Sequence, residues 1–302
     1  MSQKSVSDDH VVYEFTPDMD AERTVPPGTT LEIHTRDSVE GDVQTEEDLM
    51  RAVPDEVNAA TGPVAVKGAT PGDILQVTIE DIRLREEYGR VLVMPEFGLQ
   101  HGYEDTDAPR TRITEIDNEC LHFNELEIEL DPMIGTIGVA PQNTAYSTLV
   151  PHDHGGNLDT TDISAGSTVY FPVFQPGGLL AMGDSKAAMA DGEVCGTGAE
   201  IATEIDVTVD LISDPVVALD RPLIETEDAW KTVASAETME EACELANRDL
   251  CRLLEHVHGF DFTDAYMFSS LVADLEVSQV VDPHITIRNA IPKEQLANPF
   301  TG

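Results

Sequence analysis

Two short stretches concentrate the side chains that can move protons or hold a cation. PHDHGGNLDTTD (151–162) sets His152, Asp153, His154, Asn157, Asp159 and Asp162 around Gly155-Gly156. Mixed nitrogen and oxygen donors at that spacing can ligate a metal. The same residue types also build hydrogen-bonded turns, and spacing alone favours the turn. The paired glycines allow close backbone approach. GDSKAAMADGE (183–193) holds Asp184, Lys186, Asp191 and Glu193, and Lys186 is one of only five lysines in 302 residues. In an acid-coated protein such a segment reads as a surface turn. Against that, Ala187, Ala188 and Ala190 are small and apolar, and carboxylates in such surroundings acquire shifted pKa values suited to acid–base work or metal ligation.

Other chemistries leave no trace. There is no G-x-S-x-G elbow and no S-x-x-K set with its companions. Walker A and G-x-G-x-x-G patterns are also absent. Cys120, Cys195, Cys243 and Cys251 form no C-x-x-C pair, so neither a metal framework nor a redox pair is expected.

The elements that must position these residues read mostly as strands. PPGTTLEIHTRD (26–37) and TPGDILQVTIED (70–81) align without gaps, and SAGSTVYFPVF (164–174) is a looser third copy. Each is a Pro-Gly turn followed by alternating apolar residues, the pattern of a half-buried strand. Further strands are expected at 90–97, 126–130, 136–141 and 204–212. The texture changes near residue 225. TMEEACELANRDLCRLLEHVHG (238–259) is apolar at helical spacing, with Thr238 and Gly259 as caps. A second helix is expected over 262–275, started by Thr263 or Asp264, before the chain returns to strand. The expected fold is mainly β, a sandwich or barrel-like body (1–224) carrying the site, with a small α/β element (225–302).

Asp and Glu total 58 against 17 Lys and Arg, a formal charge of −41. Self-repulsion on this scale destabilises a compact chain in dilute buffer. It is largely screened at 1 M salt, where the Debye length is about 3 Å. A salt-adapted cytoplasm, as in a halophile, is the expected setting. The same field argues against nucleic acid and anionic membrane as partners. MSQKSVSDDH shows no secretory signal and no segment reaches 18 apolar residues, so a cytoplasmic location is expected.

At these motifs the chain resembles the acetamidase/formamidase family, the group distinct from nitrilase-type and signature-type amidases. The likeness runs in order through PPGTTLEIHTRDS (26–38), NAATGPVAVKGATPGDILQVTIEDI (58–82), MIGTIGVAP (133–141), HGGNLDT (154–160), FQPGGLLAMGDSKAAMADGEVCGTGAE (174–200) and AYMFSSLVADLEVSQVVDP (265–283). It implies hydrolysis of a short aliphatic amide to ammonia and a carboxylate by a homo-oligomer, most often a dimer. It also implies a divalent metal, zinc before calcium, with a metal-free site as the alternative. Carried over by position, His154, Asp159, Asp37 and Asp184 would hold the metal. Asn157, Gly155 and Gly156 would bind substrate, and Glu193, Asp184 and Lys186 would act in catalysis. One departure stands out: family members usually read GD-x-HA-x-x-GDGE, and Lys186 takes the place of the histidine. A neutral imidazole ligates metals and a protonated lysine does not. The resemblance therefore leaves two activities open, an amidase and a degenerate relative that binds a small ligand without turnover.

Overall fold

The structure, a computed structural model, describes residues 4–54, 56–106, 108–117 and 120–301. Met1–Gln3, part of the stretch read as free of a secretory signal, lie outside the described residues. The protein is mainly β. A nine-stranded sheet runs in the order Lys4–Val6, Thr29–His34, Thr203–Ile212, Ile74–Leu84, Thr168–Pro172, Leu223–Glu225, Ala229–Ala236, Ile285–Pro292, Asp274–Gln279. The three Pro-Gly units become strands of this one sheet. Gly28, Gly72 and Gly166 make their entry turns at φ +73°, +99° and +92°, backbone that L side chains rarely adopt.

A six-stranded sheet carries the site. Its path is Gly155–Asn157, Met133–Gly138, Leu180–Lys186, Ala60–Val66 and Val11–Val12, with Arg23–Val25 pairing parallel to Ala60–Val66. The two sheets face each other across the main core. Leu31, Ile33, Leu75, Val77, Val169 and Phe171 from the first meet Val64, Val66, Ile134, Ile137, Leu180 and Met182 from the second. This face-to-face packing produces the alternation of apolar residues seen in the sequence.

Two helices lie near the C-terminal end of the described chain. Helix α1 (Met239–His258) starts at Thr238, whose hydroxyl accepts from the Glu241 amide, and ends at a left-handed Gly259. Its buried Ala242, Ala246, Leu250, Leu253 and Leu254 pack on strands Ala229–Ala236 and Ile285–Pro292. Helix α2 (Phe262–Val272) is capped by Asp261, which accepts from the Asp264 amide. The expected start at Thr263 or Asp264 is therefore corrected by two or three residues, because the carboxylate one turn earlier reaches the free amides. Trp230 packs with Tyr170, Leu223 and Ile291 beneath α1. Strands on both sides of residue 224 belong to one sheet. Among the described residues no helix is long and apolar enough to cross a membrane.

Candidate active site

GDSKAAMADGE does not begin as a turn. Residues 180–186 form the strand Leu180–Lys186, buried along its whole length. The small residues that look like turn punctuation serve close packing instead: a Cβ at Gly183 would overlap the carbonyl of Ala59. In a strand, residues two apart share a face, so Asp184 and Lys186 project together.

The Lys186 ammonium sits inside a cage of acids. Its Nζ donates to Asp159 Oδ1 at 2.6 Å and to Asp184 Oδ2 at 2.7 Å. Glu193 Oε1 lies at 3.5 Å and Glu200 Oε1 at 3.7 Å. All five side chains are buried. The lysine passes between two glycines. A Cβ on Gly135 would overlap Asp159 Oδ1, Asp184 Oδ2 and Nζ, and one on Gly198 would crowd the lysine stem. The Gly135 carbonyl also accepts from the Leu158 and Asp159 amides, which swings Asp159 under the ammonium. Three of the acids, Asp159 (φ +42°), Asp184 (+54°) and Glu193 (+45°), have left-handed backbone. Such conformations cost roughly 1–3 kcal/mol each and cluster at functional sites.

Burial decides the charge states. It pushes the Asp184, Glu193 and Asp282 carboxyls well up, with neighbouring acids adding to the effect and Lys186 opposing it. Glu200 is raised in the same way. Burial should strip the proton from Lys186, yet the surrounding carboxylates override it and hold the ammonium more tightly than in water. The cage therefore contains one fixed cation and several carboxyls that hold a proton readily.

Asp282 arrives from the C-terminal hairpin. Buried Gln279 builds its turn: its Oε1 accepts from the Val281 and Asp282 amides, and its Nε2 donates to the His284 carbonyl at 2.6 Å and to Thr286 Oγ1 at 3.0 Å. Asn157 Nδ2 donates to Asp282 Oδ2 at 2.9 Å, and Asn58 Nδ2 to Asn157 Oδ1 at 3.0 Å. Asp191 lies apart from the cage. It pairs with buried Arg288, as does Asp162, so the 187–193 loop is tied to strand Ile285–Pro292.

A cavity of about 50 Å³ ends on this cage. Its polar end is Asn58, Asn157, Asp184, Lys186, Glu193, Glu200 and Asp282, and its walls include Val57, Leu92, Met94, Phe97 and Leu149. A water needs roughly 10–15 Å³ of such space, so the cavity admits about three or four waters or a ligand of that size.

The structure thus brings Asp159, Asp184, Lys186 and Glu193 together, with Asn157 beside them. It places the other expected residues elsewhere. Gly155 and Gly156 do not line the cavity: a Cβ on either would overlap backbone of Ile137 or Val150, so their small size serves strand packing. Asp37 sits 3.9 Å from the Arg90 guanidinium and accepts from the Val39 amide. His154 stacks on Tyr146 (5.2 Å between ring centroids) and meets the edge of Phe15 (5.0 Å). Glu200, Asp282 and Asn58 were not singled out from the sequence, although each lies within a stretch quoted for the resemblance.

A divalent ion does not fit these residues. Of the four expected ligands only Asp159 and Asp184 converge, and a protonated ammonium, without a lone pair, fills the point where they converge. Among the described residues no three His, Cys, Asp or Glu side chains are arranged to hold a metal. Neither ring nitrogen of His154 has a hydrogen-bond partner, and burial pulls its pKa down to about 3. Its unfolded value is near 6.5, so the native state binds fewer protons between these limits, and stability is lost as pH falls from about 6.5 towards 3. We expect His154→Phe to flatten that acid slope and to leave activity within about threefold. pH-dependent urea unfolding and steady-state rates check this; collapse of activity would make the ring a ligand or catalyst instead.

The acetamidase/formamidase family profile matches residues 2–147 and 142–297. A formamidase of Methylophilus methylotrophus is 28% identical over 267 residues, 69% of this chain and 66% of that protein. An acetamidase of Mycolicibacterium smegmatis is 27% identical over 261 residues, 65% of this chain and 64% of that protein. The match thus spans just under two thirds of each of these relatives. The crystal structure of a predicted acetamidase/formamidase from Thermoanaerobacter tengcongensis superposes with a TM-score of 0.92 at 35% identity, covering 97% of this chain and 96% of the other. The chain belongs to the acetamidase/formamidase family.

Proposed function

We propose that this chain hydrolyses a short aliphatic amide, of the formamide or acetamide type, in the cavity that ends on Lys186. The observation that carries the reading is an ammonium caged by carboxyls at the end of a cavity of about 50 Å³, the size of a few waters. The names of the relatives support it.

Each residue type has a task in that reaction. Two hydrogens of the Lys186 ammonium are committed to Asp159 and Asp184. The third has only the longer contacts to Glu193 and Glu200, at 3.5 and 3.7 Å, and can turn to a neutral carbonyl oxygen; a fixed donor aimed at developing negative charge is worth about 10²–10³ in rate. An ionised carboxylate at the polar end takes a proton from the attacking water. Glu193 or Asp184, held protonated by burial, returns one to the departing amine. Asn58 and Asn157 fix Asp282, and the apolar wall receives the acyl carbon.

Two further features belong to this reading. The charge of −41 supports work in a salt-rich cytoplasm. The exposed apolar residues of α2 and the strand after it (Tyr266, Met267, Leu271, Leu275) support a homo-oligomer. Purified protein in molar salt is expected to release ammonia from formamide and acetamide but not from benzamide. Absence of release from any short amide, with or without added zinc or calcium, overturns the reading. Lys186 in place of the histidine favours a second one, in which the amide is bound without turnover. Calorimetric binding of acetamide with no ammonia formed, and activity gained by Lys186→His, would select it.

A further inference from the structure

Amide hydrolysis turns one neutral substrate into two products of opposite charge. R–CO–NH2 and water give R–COOH and NH3, and transfer of one proton between them gives R–COO⁻ and NH4⁺. The Lys186 cage does not treat these ions alike. Its polar end offers the carboxyls of Asp184, Glu193, Glu200 and Asp282 with a single cation among them. Lys186 Nζ, with carboxyl oxygens at 2.6, 2.7, 3.5 and 3.7 Å, shows how this pocket solvates an ammonium. Asn58 adds a buried Oδ1 with no hydrogen-bond partner, an acceptor available to an N–H donor.

A carboxylate finds the reverse. The one cation it could pair with already donates to Asp159 and Asp184 and also faces Glu193 and Glu200 at 3.5 and 3.7 Å. A carboxylate there sets one more negative charge among acids, and the Val57, Phe97 and Leu149 walls bring no compensating charge. Burial works against charge of either sign, and what remains is decided by neighbours. Here burial, helped by the neighbouring acids and opposed by Lys186, pushes the resident carboxyls toward their neutral forms, while those acids hold the resident ammonium charged against burial. An incoming anion meets the same surroundings.

We propose that the site discriminates between its two products. The carboxylate is expelled first, and ammonium re-enters the emptied cavity beside Asp282 and Glu193 as the inhibitory product. This rests on the amide-hydrolysis reading. The test uses the full chain at constant pH and ionic strength, with NH4Cl or sodium acetate replacing NaCl and turnover of ¹³C-acetamide followed by NMR. Ammonium is expected to inhibit competitively, with an inhibition constant at least tenfold below that of acetate. Equal inhibition, or stronger inhibition by acetate, overturns the proposal. A second measurement needs no turnover: NH4Cl should raise the unfolding temperature above that in equimolar NaCl, and Asp282→Asn should remove the difference. Absence of that shift in the parent chain also overturns it. If no amide is turned over while the shift is present and depends on Asp282, the hydrolysis reading fails and the cation preference stands.

Discussion

Lys186→Met is expected to lower turnover by about 10²–10³-fold and to destabilise the fold by about 3–5 kcal/mol, the usual penalty for removing one partner of a buried charged cluster. Methionine is close to lysine in length and fits between Gly135 and Gly198, so the variant removes charge more than volume. What is left is a buried group of carboxyls with no compensating cation, and their pKa values must rise further. A group whose folded pKa is raised contributes stability that is present below its unfolded pKa and lost as pH rises. The gap between variant and parent should therefore be wide at pH 7 and narrow as pH falls towards the ordinary carboxyl range near 4. Urea unfolding at several pH values reads this directly. A variant as stable and active as the parent would mean that the ammonium is a bystander.

Gly135→Ala is the second large effect, and it adds a single methyl group. The Gly135 backbone lies outside the left-handed region, so alanine meets no conformational penalty. Its Cβ, however, overlaps Asp159 Oδ1, Asp184 Oδ2 and Lys186 Nζ. Overpacking of this kind costs about 1–3 kcal/mol. A displacement near 1 Å at reacting groups can cost about 10²-fold in rate. We expect kcat to fall by about that much while the overall fold survives. Gly166→Ala is the control. Gly166 has φ +92° and open space around its Cβ position, so that variant should lose about 1–2 kcal/mol with kcat unchanged. Equal rate losses in the two variants would show that the Gly135 effect is general destabilisation, not disturbance of the cage.

The ease of reading this chain from its sequence followed the range of the interactions. Helix α1 was legible to the residue, because Thr238, Gly259 and the apolar spacing act within a few positions. The Pro-Gly strands were legible for the same reason. The strand carrying Asp184 and Lys186 was not, because Ala181 and Gly183 are small to admit Ala60 and the Ala59 carbonyl, a demand that comes from another strand. Glu200 and Asp282 were hidden among 58 acids; only the fold distinguishes a carboxyl in the cage from one in the solvated coat. Spacing favours a turn around His154 over a ligand and gives no sign that its ring packs among aromatics. Phe15 and Tyr146, which decide the matter, are remote in sequence or separated by a turn.

Asp282 reaches the cavity from the hairpin that also supplies the edge of the nine-stranded sheet. During synthesis the chain emerges in order, so Asp159, Asp184, Lys186, Glu193 and Glu200 are all outside the ribosome before Asp282 follows. Until then the sheet lacks its last strands and the cage lacks one wall. A nascent chain at that stage has every strand of the six-stranded sheet but not the Asp282 wall of the cavity. On the proposed reading, amide binding therefore waits on the C-terminal hairpin, whose two strands are the last of the sheet to be made.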